Sequence, residues 1–274
     1  MSGTLTSNPS GGFWRQRDLW WQFTVRTVEQ RHRGSHLGIV WAVLNPLLML
    51  AIYFVVFGKI FGGKLSPRPD ETSVDFALAI FLGLTLFQLF AETLSATPGI
   101  IVNNPNLVKK VVFPLEILPL AHLGAFWFNT LINLGLLLLG AVFFGQGVSI
   151  AGLVWLPVIL APLVLLSIGA GWLFAALGVF FRDISQAMPF FSQILLYSSL
   201  VFIPLSKVQA YPWLYLILKW NPLLQTIALA RSALLWDLPV SLDALAYTYA
   251  AGLAAFFFGR WAFMKLKPSF ADVL

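Results

Sequence analysis

Few residues of this 274-residue chain could carry covalent chemistry, and their spacing disfavours a catalytic centre. His32 and His36 stand four positions apart, but no third metal ligand with suitable spacing lies near them. Nucleotide hydrolysis would require a phosphate loop, GxxxxGK followed by Ser or Thr, whose backbone amides and lysine hold the phosphates. Gly58-Lys59 and Gly63-Lys64 are each followed by an apolar residue instead of Ser or Thr. We therefore predict no catalytic residue, no metal site and no cofactor on this chain, and any ATP would be bound by another subunit.

Two pairs of polar residues interrupt long apolar runs. Glu92 is the one ionisable residue that lies well inside a run, and Gln88 stands one helical turn before it. An ionisable group inside a membrane is costly and is therefore a functional candidate, although a hydrogen bond between helices explains this pair equally well. Asn129 and Asn133 share a face of the next run, where we expect them to form hydrogen bonds between helices.

The apolar runs that would position these residues imply a membrane protein. The chain is 59% hydrophobic and 10% charged, whereas soluble domains average about 45–50% apolar and about 25% charged residues. A spanning helix needs about 20 apolar residues to cross a hydrocarbon core of about 30 Å. We predict an all-α integral membrane protein with six transmembrane helices. The runs lie near residues 38–61, 76–96, 115–145, 150–181, 187–205 and 244–264.

The sequence before the first run divides into two parts. Residues 1–12 form a polar tail, and residues 13–35 are expected to form an amphipathic helix in the cytoplasmic interface of the membrane. Residues 36–274 would then form the transmembrane domain. On a helical wheel, the apolar face of the amphipathic helix holds Trp14, Trp21, Val25 and Val28, and the polar face holds Arg15, Gln22, Arg26 and Glu29.

Basic residues set the predicted orientation. Eleven of the seventeen Lys and Arg residues fall on the side of the N-terminus, and an excess of basic residues marks the cytoplasmic side. We expect both termini in the cytoplasm. The net charge of +6 therefore reports topology, and we predict no nucleic-acid partner.

The region 208–237 holds two apolar pieces, residues 211–219 and 223–236, which are separated by Asn221-Pro222. Each piece is too short to cross a membrane. We predict a re-entrant pair of half-helices on the outer side, before the last span. The alternative, one more crossing, would place the basic C-terminal tail outside, against the positive-inside rule.

Aromatic residues make up 15% of the chain and are frequent in the first, second and fifth runs. Their ring faces can stack on the apolar faces of sugars without gripping a sliding polymer, although lipid-facing helices also carry Phe. Asn45-Pro46 should kink the first run, because proline removes a backbone donor. The candidate channel-lining aromatics are Trp41, Tyr53, Phe57, Phe87, Phe90 and Tyr197.

The stretch from Arg31 to Phe61 reads RHRGSHLGIVWAVLNPLLMLAIYFVVFGKIF. Together with residues 104–110, Arg182-Asp183 and Asn221-Pro222, it resembles the permease subunits of type-two ABC exporters, which move O-antigen, capsule and teichoic-acid polymers. The resemblance covers nearly the whole chain. It implies a second copy of the chain, two ATP-binding-cassette ATPase subunits that bind ATP and Mg, and a polysaccharide linked to polyprenyl diphosphate as substrate. It also implies a multi-pass location in the bacterial cytoplasmic (inner) membrane.

The same resemblance gives roles to residues on the cytoplasmic side. Residues 97–114 are similar to the family's coupling segment, although a solvated basic loop is the simpler interpretation. Arg31 and Arg33 stand at headgroup depth, where they would bind the lipid diphosphate or, equally, anchor the positive side. The ATPase-coupling candidates are Asn104, Pro105, Leu107, Lys109, Lys110, Arg182 and Asp183.

The sequence alone leaves other functions open. A permease of the same architecture would also suit export of a drug or a small lipid, and the polymer could be capsule or teichoic acid rather than O-antigen. A stand-alone carrier, or a membrane enzyme that acts on a lipid-linked sugar, is a further alternative. Such an enzyme would need paired carboxylates or a metal site facing water, for which Asp70-Glu71 in a Pro-rich loop is a poor match.

Overall fold

The computed structural model describes residues 12–32, 37–67, 69–109 and 113–274, and within these ranges the chain is helical and has no strand. The predicted polar tail, residues 1–12, lies almost entirely outside them. A 3-10 turn, Gly38–Val40, precedes α2, and a π-helical segment, Phe54–Phe61, continues it. The helices are α1 (Gly12–His32), α2 (Trp41–Tyr53), α3 (Ser73–Ile100), α4 (Pro105–Lys109), α5 (Ile117–Phe144), α6 (Ile150–Phe180), α7 (Ile184–Ser198), α8 (Leu205–Gln209), α9 (Pro212–Leu218), α10 (Pro222–Leu234), α11 (Leu242–Leu266) and α12 (Phe270–Val273).

Five helical stretches of the described chain are long and apolar enough to cross a membrane. They coincide with five of the six predicted runs and confirm a helical, multi-pass membrane protein. These stretches are Gly38–Ile60, Ser73–Ile100, Ile117–Phe144, Ile150–Phe180 and Leu242–Val273.

The sixth predicted run, residues 187–205, contains the shorter helix α7. This helix has 15 residues and is about 22 Å long at 1.5 Å per residue, less than a hydrocarbon core of about 30 Å. It ends at Ser198 because Leu200 adopts a left-handed φ of 51°, which a regular α-helix does not contain. The sixth crossing therefore stays a prediction.

Side-chain caps begin three of the long helices, α3, α6 and α11, near the start of their apolar runs. Thr72 and Asp75 form a capping box at the start of α3, and Ser149 and Ser241 cap α6 and α11. Each cap satisfies a backbone amide that the first helical turn leaves without a partner. An unpaired amide is most costly in an apolar medium, so these caps fix where the spans start.

One end of the bundle, which we call the proximal end, brings together the two terminal regions. Trp20 of α1 donates a 3.0 Å hydrogen bond to the carbonyl of Leu120. Lys267, which follows α11, forms a 2.7 Å ion pair with Glu116. Both terminal regions that the structure describes therefore meet the start of α5.

The opposite end, which we call the distal end, is formed by the connections between helices. The amide of Gln146 donates to Asp75 at the start of α3, at 3.0 Å. The amide of Ser149 donates to the carbonyl of Leu234, also at 3.0 Å. The starts of α3 and α6 and the end of α10 therefore lie together.

Helix α3 is the centre of the bundle. Within its most apolar stretch 78% of the residues are buried, against 0% for the first span, Gly38–Ile60. Helix α3 packs against α5, α6, α7 and α10. The first span contacts α3 and α5, and many of its large apolar side chains are exposed, including Leu47, Leu48 and Ile52.

Helix α1 packs against α5. Thr24 is buried, and Phe23 contacts the ring of Phe113 with 5.1 Å between the centroids. The face that is predicted to meet the membrane points away from the protein, since Trp21 is 61% and Val25 is 36% exposed. Its location in the membrane interface stays a prediction.

Three short helices, α8, α9 and α10, occupy the predicted re-entrant region. The helical structure is interrupted between α9 and α10 at Asn221-Pro222, where the sequence pattern predicts an interruption. Asn221 caps α10 with its side chain, and Pro222 fills the first turn, where its missing N–H costs nothing. The depth of these helices in the membrane stays a prediction.

Helices α6 and α11 approach so closely that glycine is required at their contact. A Cβ atom on Gly259 would lie 2.0 Å from the carbonyl oxygen of Gly169, and one on Gly169 would lie 2.2 Å from that of Ala255. Small residues let helix backbones approach in lipid, where packing rather than the hydrophobic effect drives association.

We therefore expect Gly259→Ala to separate α6 from α11 and to destabilise the fold by about 1–3 kcal/mol, the usual cost of overpacking. The melting temperature of the purified protein measures the loss. Gly135→Ala is the matched control, because Gly135 also lies in a spanning helix and its added methyl group would meet no described atom within 4 Å. Equal melting temperatures of the two variants would contradict the close contact.

Candidate functional site

A cavity of about 390 Å³ lies between the end of α1, the first span, α3 and α5. We call it the polar cavity. Its polar lining comes from segments that are far apart in the sequence. The lining includes the polar residues inside the first three apolar runs that the sequence marks as functional candidates. The polar side chains are Arg31, Asn45, Tyr53, Thr85, Gln88, Glu92, Asn129 and Asn133.

Arg31 and Glu92 form an ion pair in the wall of the polar cavity. Nη1 of Arg31 donates to Oε2 at 2.9 Å and Nη2 donates to Oε1 at 2.7 Å, so the guanidinium binds the carboxylate through two parallel bonds. The guanidinium also lies 5.7 Å from the centre of the Phe126 ring. The hydrogen bonds that Arg31 donates to Glu92 raise the pKa of Arg31. The side chains are 42% and 32% exposed, so the pair is open to a competing anion.

The face of α3 that borders the polar cavity is polar. Every residue from Phe76 to Phe90 is buried except Gln88, and Glu92 follows one turn later. Asn129 and Asn133 line the same cavity from α5. The sequence predicts that these asparagines join helices, but within the described chain neither side chain forms a hydrogen bond. Their amides, which can both donate and accept, are thus free to bind a hydroxyl-rich or anionic molecule.

The six predicted channel aromatics lie in four different environments. Trp41 and Tyr53 line the polar cavity. Phe57 stacks on Phe202, with 5.3 Å between ring centroids, and Tyr197 is 60% exposed on α7. Of these four residues, two therefore line a cavity, one packs in a ring stack and one lies on the outer surface of the chain.

Phe87 and Phe90 have a different environment from the other predicted aromatics. They are 6% and 8% exposed and belong to the main hydrophobic core around α3. Aromatic content does not reveal which face of a helix a ring occupies, and both rings lie on faces that other helices of the same chain cover. The structure gives no support for a role of these two residues in lining a channel.

The predicted coupling residues lie at the proximal end. Asn104 donates from Nδ2 to the carbonyl of Ile100 at 2.9 Å and so continues α3 towards α4. Pro105 starts α4, Leu107 packs against a buried cluster, and Lys109 is exposed. Helix α4 therefore presents basic and polar groups outward while an apolar side chain holds it to the bundle.

Arg182 and Asp183 lie between α6 and α7, and both are exposed. They line an open pocket of about 620 Å³ together with Val273 of α12. Helix α12 contacts both α4 and α6, so the two groups of coupling candidates are connected through the C-terminal helix. Arg33 and Lys110 lie outside the described residues.

Two features of the site are not readable from the sequence. The partner of Arg31 stands 61 positions away along the chain, and no local spacing connects the two residues. The convergence of the two polar pairs, Gln88 with Glu92 and Asn129 with Asn133, is also invisible in a single sequence, although each pair is visible as a polar interruption of an apolar run. In the described parts of the chain, no group of three or more His, Asp or Glu side chains is placed to hold a metal ion.

Long apolar helices around a buried central helix, with a polar cavity between them, define a multi-pass membrane protein with a site for a polar molecule. Residues 18–235 match the family model described as ABC-2 type transporter. The chain belongs to the ABC-2 type transporter family. This confirms the family that the motifs resemble, and a transporter family agrees with the prediction of a transport subunit rather than an enzyme.

Curated relatives of the chain have transport names. It is 25% identical to the O-antigen export system permease protein RfbA of Klebsiella pneumoniae over 258 residues, which cover 94% of this chain and 95% of the relative. It is 25% identical to the protein of the same name from Myxococcus xanthus over 210 residues, 77% of each chain. It is 28% identical to the polysialic acid transport protein KpsM of Escherichia coli over 217 residues, 77% of this chain and 79% of the relative.

We expect the Arg31–Glu92 pair to contribute little to stability, because both side chains are partly exposed and exposed ion pairs contribute about 0–1 kcal/mol. A double-mutant cycle with Arg31→Gln, Glu92→Gln and the double variant, read from thermal unfolding, measures the coupling free energy. A coupling of more than about 2 kcal/mol, outside the range of exposed pairs, would show that the pair holds α1 to the bundle.

Proposed function

We propose that this chain is the channel-forming subunit of an ATP-binding-cassette transporter that exports an O-antigen-like, lipid-linked polysaccharide across the bacterial cytoplasmic membrane. The observation that carries the proposal is the polar cavity inside a member of the ABC-2 type transporter family. Its amides suit hydroxyl groups, and its guanidinium suits a phosphate. The names of the relatives, O-antigen export and polysialic acid transport, agree with a polysaccharide substrate.

The proposed topology has six crossings with both termini in the cytoplasm. An even number of crossings puts the two ends of a chain on one side, and both described terminal regions meet the start of α5 at the proximal end. The crossing after α6 would be made by α7 with the residues that follow it. The proximal end would then face the cytoplasm and the distal end would face outward.

A second copy of the chain would complete the channel. The first span is the most apolar candidate after Ile150–Phe180, yet none of its central residues is buried. Helix α7 likewise exposes Phe190, Phe191 and Tyr197, at 68%, 51% and 60%. Surfaces of this kind suit either lipid or another copy, and a homodimer with the first span and α7 at its interface would cover both.

Arg31 is our candidate for recognising the lipid diphosphate, together with Arg33. Two oxygens of a diphosphate can accept from a guanidinium fork in the same bidentate way as a carboxylate, and the diphosphate carries more charge. It would therefore compete with Glu92 for Arg31 at the proximal end of the polar cavity. Simple anchoring by basic residues at the cytoplasmic face is the alternative role.

The energy source would be a pair of separate ATPase subunits that bind ATP and Mg. Helix α4 and Arg182-Asp183 form the proposed docking surface, because both lie at the proximal end and expose polar groups there. Within this surface the coupling candidates are Asn104, Pro105, Leu107, Lys109, Lys110, Arg182 and Asp183.

Replacing Arg31 and Arg33 together by Gln should reduce polysaccharide export at least about tenfold, the effect of losing a charged hydrogen bond. Membrane insertion should be unchanged. Surface polysaccharide measures export, and the amount of permease in the membrane fraction measures insertion. Arg26→Gln is the control, since Arg26 is an exposed residue of α1 outside the polar cavity. Export at the normal rate in the double variant would leave anchoring as the role of the pair.

The complete transporter should hydrolyse ATP faster when polyprenyl-diphosphate-linked polysaccharide is present, and a short lipid without sugar should not have this effect. Purification of the tagged permease with its cognate ATPase, followed by phosphate-release assays in proteoliposomes, tests both points. Arg182→Ala with Asp183→Ala should reduce the amount of ATPase that co-purifies. Stimulation by small lipids alone would instead indicate a lipid or drug exporter, and transport without any ATPase would rule the proposal out.

A further inference from the structure

The distal end of the bundle holds a buried arginine that the polar cavity does not use. Arg231 of α10 is 4% exposed. Its Nε donates to the carbonyl of Ala79 on α3 at 2.9 Å. Nη1 donates to the carbonyl of Leu200 at 3.4 Å and Nη2 to that of Val201 at 2.6 Å, just beyond the end of α7. One side chain therefore ties α10 to two elements that are distant in the sequence.

The carbonyl groups beyond α7 need such a donor. Helix α7 ends at Ser198, and the left-handed residue Leu200 prevents its continuation. Leu200 and Val201 follow the helix and are buried, so their carbonyls need hydrogen-bond donors, and the negative end of the helix dipole favours a cation nearby. A guanidinium offers five N–H groups in a planar fork, so it can serve two segments at once.

Within the described chain, the hydrogen bonds of Arg231 go to carbonyl groups. The ion pairs within the described chain join Arg31 to Glu92 and Lys267 to Glu116 and do not include Arg231. The carboxylate of Glu71 acts on Arg231 only over a longer distance. A buried charge is costly unless its hydrogen bonds are satisfied. Movement of α7 away from α10 would therefore break the contacts that stabilise the buried guanidinium.

Helix α3 leaves room for this side chain. A Cβ atom on Gly83 would lie 2.4 Å from Nη2 of Arg231, so no other residue type fits there without displacing the guanidinium. Arg231 also lines a partly open cavity of about 300 Å³ between α8, α10, the connection after α7 and the connection before α3. We call it the distal cavity. The bonds of Arg231 thus determine the position of one of its walls.

We infer that Arg231 is a positioning residue that holds α10 against α3 and the residues that follow α7, and that it thereby keeps the distal cavity narrow. The inference rests on the proposed function in one respect, namely that the distal end of the bundle faces outward. Passage of a polymer at this end would require release of the carbonyl contacts.

Single-cysteine labelling tests this inference cleanly, because the chain contains no cysteine. Ala228→Cys places a thiol in the wall of the distal cavity. In the complete transporter, in right-side-out vesicles, the rate of reaction with a membrane-impermeant maleimide reports how open the cavity is. Arg231→Met should raise the rate at least about tenfold, as expected on loss of a hydrogen bond to a charged group. Arg231→Lys should give an intermediate rate, since lysine keeps the charge but lacks the fork.

Gly83→Ala provides an independent variant that keeps Arg231 and displaces its guanidinium. It should raise the labelling rate, whereas Gly135→Ala, whose methyl group meets no described atom within 4 Å, should not. A purely structural role of Arg231 would lower the amount of folded protein or its melting temperature without changing the rate in the folded fraction. If Arg231→Met does not reach the membrane, Arg231→Lys and Gly83→Ala decide. An unchanged labelling rate in both would overturn the inference.

Labelling requires no transported polymer, so its result distinguishes the inference about Arg231 from the proposed export function. If the unmodified transporter exports no polysaccharide but the Arg231 variants still label faster, the proposed function fails and the role of Arg231 stands. If export is normal and the rates do not change, only the inference about Arg231 fails. Repeating the reaction in permeabilised membranes detects opening of the distal cavity even if that end faces the cytoplasm.

Discussion

The burial of α3 on nearly every side is the constraint on which the rest of the structure depends. Helices α5, α6, α7 and α10 cover it, and from Phe76 to Phe90 only Gln88 is left exposed. A helix enclosed in this way cannot shift without moving its neighbours, since protein interiors are close-packed. The polar strip formed by Gln88 and Glu92 therefore has a fixed position, and the first span is the element that covers it.

Two arginines from other helices bind α3 at different depths, and their chemistry differs. Arg31 binds the side chain of Glu92 and remains partly exposed, whereas Arg231 is buried and binds the backbone at Ala79. The two contact points are 13 residues apart, about 20 Å along a helix. An exposed pair with a carboxylate can exchange its partner for another anion. A buried cation held by carbonyl groups can only keep its contacts or lose them together.

The sequence is sufficient to predict the elements that a single apolar run or a single helix-breaking residue specifies. Five spans follow from apolar runs, and the break before α10 follows from Asn221-Pro222, because both signals are local. The short α7 is not predictable, since a left-handed Leu200 has no sequence signal of its own. Nor are the contact between Arg31 and Glu92 and the burial of Phe87, because both depend on which faces of distant helices meet.

In the proposed exporter a separate ATPase supplies the energy, and the force would enter through packing at the proximal end. Phe270 of α12 is fully buried, with its ring 6.1 Å from that of Phe180 on α6 and 5.5 Å from that of Phe263 on α11. Helix α12 also contacts α4.

Coupling between distant sites travels through contiguous packed elements that have two arrangements. A push on α4 would therefore reach α6 and α11 through α12, and it would reach α3 directly through the chain. Since α3 and α6 both border α10, the same push acts on the distal end from two sides, and this makes the packing at the C-terminus part of the mechanism.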